Sequence, residues 1–243
     1  MNKKTARFLC LATLAFLLNS CAHHVVIGSG KEATEDRNTT AFENIDISTT
    51  LHATITVKPG SQPSVTLNGY QNILNNIKTE VKDNTLRIYT EDDIQFSVNK
   101  KTQAIITVPS LSALSLSGAP DAELHGNIAG KNFKLDISGA ADVKIDSVNS
   151  PDMTADLSGA GTIEINGGNV QHADFDISGA GAIKAFKLIA NETVAQVSGA
   201  GSCDVNAQQK LDAHISGVGK VRYKGHPVVS SHVSGVGGVA DAN

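Results

Sequence analysis

Three carboxylates recur along this chain at a constant step: Asp136, Asp156 and Asp176 stand twenty residues apart, each two places before a serine. Carboxylates brought side by side repel unless a cation, a raised pKa or solvent relieves them. The set is therefore the best candidate in the sequence for a surface cation or ligand face. The equivalent position holds Ser115 before them and Gln196, His214 and His232 after them, which makes the two histidines the next candidate. The competing reading is a solvated outer face with weak repulsion. Nothing around these residues resembles the calcium-binding nonapeptide repeat, which needs its own Gly and Asp spacing, so no metal site is assigned.

The aspartates belong to a larger repeat. A Ser-Gly-small cluster begins at Ser117, Ser138, Ser158, Ser178, Ser198, Ser216 and Ser234, with steps of 21, then 20 three times, then 18 twice. A constant period of this length marks an array in which each repeat buries its apolar face only by stacking on its neighbours. A phosphate-cradling loop is the other chemistry that Ser and Gly suggest, but such a loop occurs once, before a helix, with a lysine at a set place. Here the cluster recurs between two strand-like segments, so it is read as a bend that permits close stacking.

Aligned on their serines, the repeats form columns. The residue before the serine is Leu116, Ile137, Leu157, Ile177, Val197, Ile215 and Val233, and the fifth after it is Ala122, Val143, Ile163, Ile183, Cys203, Val221 and Val239. Alternation on both sides of the bend predicts two strands per repeat with the odd offsets pointing inwards. Cys203 falls in an inward column and is read as a small buried hydrophobe, not a reactive thiol. The sixth position after the serine runs Glu123, Lys144, Glu164, Lys184, Asp204, Arg222, alternating in sign. In a parallel stack that order makes a ladder of exposed opposite charges, each pair contributing a few tenths of a kcal/mol and acting mainly on register.

The N-terminus is of another kind. Lys3, Lys4 and Arg7 precede an apolar run from Phe8 to Leu18, and Leu18-Asn19-Ser20-Cys21 follows. The run falls short of the roughly 20 apolar residues that cross a bilayer and reads as a secretory leader over 1–20. Leu18 three places before Cys21 resembles the lipobox of bacterial lipoproteins. That resemblance implies acylation of Cys21, removal of the leader and, with Ala22 next, delivery to the outer membrane. Loss of the leader's three cations takes the formal charge from −4 to −7, which argues against a nucleic-acid partner. Residues 21–41 are predicted to be a tether and 42–243 a single domain, its short strands at 42–110 forming irregular first rungs and a cap. A single helical turn is expected in 71–77.

Several segments, in order, carry a family resemblance: the lipobox, Gly28-Ser29-Gly30 followed by Arg37, Phe42-Glu43-Asn44-Ile45-Asp46-Ile47, Leu74-Asn75-Asn76-Ile77-Lys78-Thr79-Glu80-Val81, Thr85-Leu86-Arg87-Ile88, and Val108-Pro109 before the repeats. Together they resemble the putative auto-transporter adhesin head GIN domain family over roughly residues 40 to 225. The resemblance implies a right-handed parallel β-helix on a secreted or lipid-anchored protein of Gram-negative bacteria, and it brings no catalytic or binding residues. The expected fold is accordingly all-β, a parallel β-helix of about seven regular rungs with an irregular N-terminal β cap. The expected role is a non-catalytic binding, adhesion or structural module of the cell envelope, with no cofactor. Its expected partners are the membrane through the N-terminal lipid, a glycan or protein ligand, and a second copy paired through the open C-terminal end. The alternative is a polysaccharide lyase or hydrolase, since parallel β-helices often carry such enzymes. Against it stand the absence of Trp, only three Tyr, and no arginine in register with the aspartates.

Overall fold

The computed structural model describes residues 24–91, 94–97 and 102–243, and the chain is all-β. The leader and Cys21 lie outside the described residues. The strands are β1 (His24–Ile27), β2 (Glu32–Arg37), β3 (Asn44–Ser48), β4 (His52–Val57), β5 (Ser64–Tyr70), β6 (Ile77–Lys82), β7 (Thr85–Thr90), β8 (Ile94–Ser97), β9 (Gln103–Val108), β10 (Ala113–Gly118), β11 (Asp121–Ala129), β12 (Asn132–Leu157), β13 (Ala160–Ile165), β14 (Gly168–Ile177), β15 (Ala180–Lys224) and β16 (Val228–Asp241). A single helical turn, α1 (Gln71–Leu74), separates β5 from β6 and buries Ile73 and Leu74.

From Ala113 onward the strands pair in parallel with the segment one repeat away. Ser117 lies beside Ser138, Ala140 beside Ala160, Leu157 beside Ile177, Ile177 beside Val197 and Ser216 beside Ser234. The columns read from the sequence are therefore columns in space. The inward residues fill one continuous core: Leu114, Leu135, Phe175, Ile145, Ile163, Cys203 and their neighbours are buried. Each large aliphatic side chain taken out of water there contributes about 1.5–3 kcal/mol. The inward pattern fails on β16, where Val233 is 42% exposed, because β16 pairs only with β15 and no described strand covers its other side.

The N-terminal part departs from chain order. β3 and β4 pair with β10 and β11, while β7 and β9 pair with the opposite edges of β3 and β4. Residues 44–57 are thus sandwiched between 85–108 and 113–126. Outside them the pairing turns antiparallel: β6 folds back on β7, β5 on β9 and β2 on β5. Asp83 and Asn84, both with positive φ, make the β6–β7 turn, a backbone region in which Asp and Asn are tolerated. Much of the segment expected as a tether is paired: β2 joins the large sheet, and β1 pairs in parallel with β8 in a separate two-stranded sheet. Its Glu-Ala-Thr-Glu-Asp-Arg sequence is too polar to show the alternation, which becomes visible only as half-buried and exposed positions taking turns.

The bends require glycine for a specific reason. A Cβ on Gly159 would lie 2.0 Å from the carbonyl oxygen of Gly139, a backbone atom that cannot move aside. Gly159→Ala is expected to cost about 1–3 kcal/mol through overpacking and to lower Tm by about 2–4 °C for each kcal/mol. Gly238→Ala, whose new methyl meets nothing within 4 Å, is expected to stay within about 0.5 kcal/mol of the parent. Thermal unfolding followed by circular dichroism compares the two, and equal effects would remove close backbone contact as the reason for the repeat.

Candidate functional site

The three aspartates meet on one outward face because they stand two residues before their bends and strand positions two apart share a face. Asp156 and Asp176 are register partners on β12 and β14, and Asp136 neighbours Asp156. With Ser138, Ser158 and Ser178 they line a shallow open groove of about 380 Å³. The serine hydroxyls form its other wall, and Ser158 Oγ lies 3.2 Å from Ser178 Oγ. Behind the wall the aliphatic core is closed, so the groove has length but little depth. It continues past Asp176 and Gln196 to His214 and His232, whose ring centroids are 6.3 Å apart. His214 Nε2 lies 3.1 Å from Asp212 Oδ1.

Two residues that the alignment overlooked decide the electrostatics. Lys134 Nζ is 2.9 Å from Asp136 Oδ1 and 3.7 Å from Asp156 Oδ2, so the like-charged run has a cation of its own. A hydrogen bond and the charge of Asp136 raise the Lys134 ammonium pKa. Asp174, on the same face as Asp176, adds a fourth carboxylate, its pKa raised by burial and by Asp176. Both sit four residues before a bend serine, a position that shows no pattern in sequence because its occupants run Ala113, Lys134, Thr154, Asp174, Val194, Asp212 and Ser230. Burial first, then its contact with Asp136, push the Asp156 carboxyl up, and Lys134 only partly opposes them. Among the described residues no group of three or more His, Cys, Asp or Glu side chains is placed to hold a metal ion.

The other expected features are placed as follows. Glu123 pairs in register with Lys144, Lys144 with Glu164 and Glu164 with Lys184. Lys144 Nζ reaches Glu123 Oε1 at 3.3 Å across the first step. At the far end Arg222 binds Asp204 through two nitrogens, at 2.7 and 2.5 Å. Cys203 is fully buried, and that burial pushes its thiol pKa far up.

Comparison with known proteins bears on this arrangement. A family model described as Putative auto-transporter adhesin, head GIN domain, matches residues 41–227. Among solved structures, a putative adhesin from Bacteroides fragilis is 27% identical, with 89% of this chain and 100% of that one aligned and a TM-score of 0.78. A putative adhesin from Parabacteroides distasonis shares the fold at 22% identity, covering 90% of this chain and 100% of its own, with a TM-score of 0.71. A structure named as a putative lipid binding protein from the same organism does so at 20% identity, 90% and 100% coverage and a TM-score of 0.67. No curated protein matches the chain.

The crowding of Asp156 has a pH signature. A carboxyl whose pKa is raised on folding weakens the native state above that pKa and ceases to do so once protonated. Asp156→Asn is therefore expected to raise stability at pH 7 by a few tenths of a kcal/mol, the scale of an exposed like-charge pair. The gain should shrink as pH falls through the raised value and vanish below the ordinary carboxyl value of 3.8. Tm measured from pH 3 to pH 8 tests this, and a gain that persists at pH 3 would mean that the charge of Asp156, through its burial and its repulsion by Asp136, is not the source.

Proposed function

The chain belongs to the putative auto-transporter adhesin, head GIN domain family, and from that membership we propose a lipid-anchored binding module of the cell envelope that acts without catalysis. Adhesin-like relatives support an envelope or surface setting. The observation that carries the reading is the groove beside the bends: open, shallow, backed by a closed core, and lined by side chains that recur once per repeat. Such a surface suits an extended ligand with its own repeat, a glycan or a protein strand, better than a small substrate, which needs a concave pocket that buries most of it.

The architecture behind this reading is a parallel β-helix. We take each 18- to 21-residue step as one coil, about seven regular coils from Ser117 to Ser234, and residues 42–110 as the first coils and cap. A right hand is the one that parallel crossovers adopt in nearly all sheets. The leader over 1–20 is removed in this reading, and Cys21 carries the acyl chains, of which more than one is needed for stable attachment. The short stretch between Cys21 and β1 then joins lipid to domain, and delivery is to the outer membrane.

Two measurements in cells test the proposal. Cys21→Ser should lose incorporation of labelled palmitate and move the protein from the membrane to the soluble fraction. Cells carrying Asp136→Asn, Asp156→Asn and Asp176→Asn together should attach to an immobilised glycan and extracellular-protein array at least about tenfold less than the parent, a change of about 1.4 kcal/mol. Equal attachment with the chain deleted altogether would end the adhesion reading, and unchanged palmitate labelling of Cys21→Ser would end the anchor.

A further inference from the structure

The chain is formally negative at −4, yet five cations gather on one outward face beyond the bends: Lys184, Lys187, Lys220, Arg222 and Lys224. Phe186, half-buried, lies two residues from Lys184 and next to Lys187 in the chain. Arg222 Cζ lies 5.3 Å and Lys224 Nζ 5.1 Å from the centre of that ring, so two like charges are held against one aromatic side chain. Asp204, the carboxylate among them, has a side chain only 8% exposed and is taken up by Arg222. Glu164 stands in register with Lys184 on the neighbouring strand without forming an ion pair, and Lys187 is held by Asn166 at 2.8 Å. Lys184 and Lys220 are both exposed. Glu164 and Asp204 thus stand against Lys184 and Arg222, and the positive charge left over on this surface is that of Lys187, Lys220 and Lys224, which an anionic partner would relieve.

We propose that this face binds an acidic polysaccharide. Lys184 and Lys224 are two repeats apart, about 10 Å along the stack at the spacing of paired strands. That separation suits a chain whose charges recur at every second sugar. Phe186, half-buried beneath Arg222 and Lys224, adds the apolar part of its ring that stays exposed as a place for a sugar to pack. A nucleic acid is disfavoured by the overall negative charge. The face also lies toward the end of the stack away from β1 and β2, so an N-terminal anchor would point it outward. This site rests on the binding-module reading but lies on a different side of the bends from the aspartate groove.

The test uses the full chain in neutral detergent, with hyaluronan as the acidic probe and dextran of similar length as the neutral one. Lys220→Gln with Lys224→Gln, which leaves the Asp204–Arg222 pair intact, should weaken hyaluronan binding by about tenfold. Lys131→Gln makes one of the same charge changes at an exposed site elsewhere and should have little effect. Binding should fall with salt, since exposed charges are screened beyond about 10 Å at 0.1 M. No hyaluronan binding, equal binding of dextran, or equal losses in the two variants would overturn the site. Cells whose array attachment survives Lys220→Gln with Lys224→Gln while purified protein shows no hyaluronan binding would lose this site and keep the adhesion reading.

Discussion

At the bends of this protein, backbone lies directly on backbone. A methyl group on Gly139, Gly159 or Gly179 would come within 2.0–2.2 Å of the carbonyl oxygen of the glycine one repeat earlier, and the contact continues at Gly199, Gly217 and Gly235. Paired strands are about 4.8 Å apart, and a side chain that points along the stack has no room in that gap. Glycine is the residue that adds nothing there. Each repeat is thereby brought to the same depth and the same register as the last. Everything built on columns depends on that contact.

Strict register has electrostatic consequences that the fold must absorb. Where a column alternates in sign, as from Glu123 to Lys184, stacking places opposite charges beside each other at little cost. Where it does not, as at Asp136, Asp156 and Asp176, stacking concentrates like charge, and Lys134 and solvent must relieve it. The Asp204–Arg222 pair is a third case, because Asp204 is nearly buried and its charge must be matched by a guanidinium held in one geometry. The outward faces consequently differ in sign although they are built on one repeat. A binding surface of this kind is linear, since its chemistry changes only from one repeat to the next.

Much of this was legible in the amino-acid order. Period-two alternation on each side of a Ser-Gly cluster identified the inward residues down to Cys203, and the single helical turn at Gln71–Leu74 fell within the segment expected to hold one. The failures have physical causes. β2 is a polar strand that buries only half of each alternate residue, so its sequence resembles that of a tether. Lys134 and Asp174 lie in a column of mixed residue types, and a column is recognisable only when its members share a property. Val233 and Val239 match the buried columns in type, and although the C-terminal end was expected to be open, the types alone do not show that Val239 packs on the core while Val233 is exposed.

The sequence by itself determined the repeat, its register, the inward and outward sides and the order of charges along each column, since all of these follow from chain geometry acting between neighbouring repeats. Only the tertiary structure decided where residues 44–57 sit, which cation answers the aspartates and which carboxylate is hidden from the basic face. Those depend on contacts between positions that share no period, and a period is the one kind of long-range information that a single sequence displays.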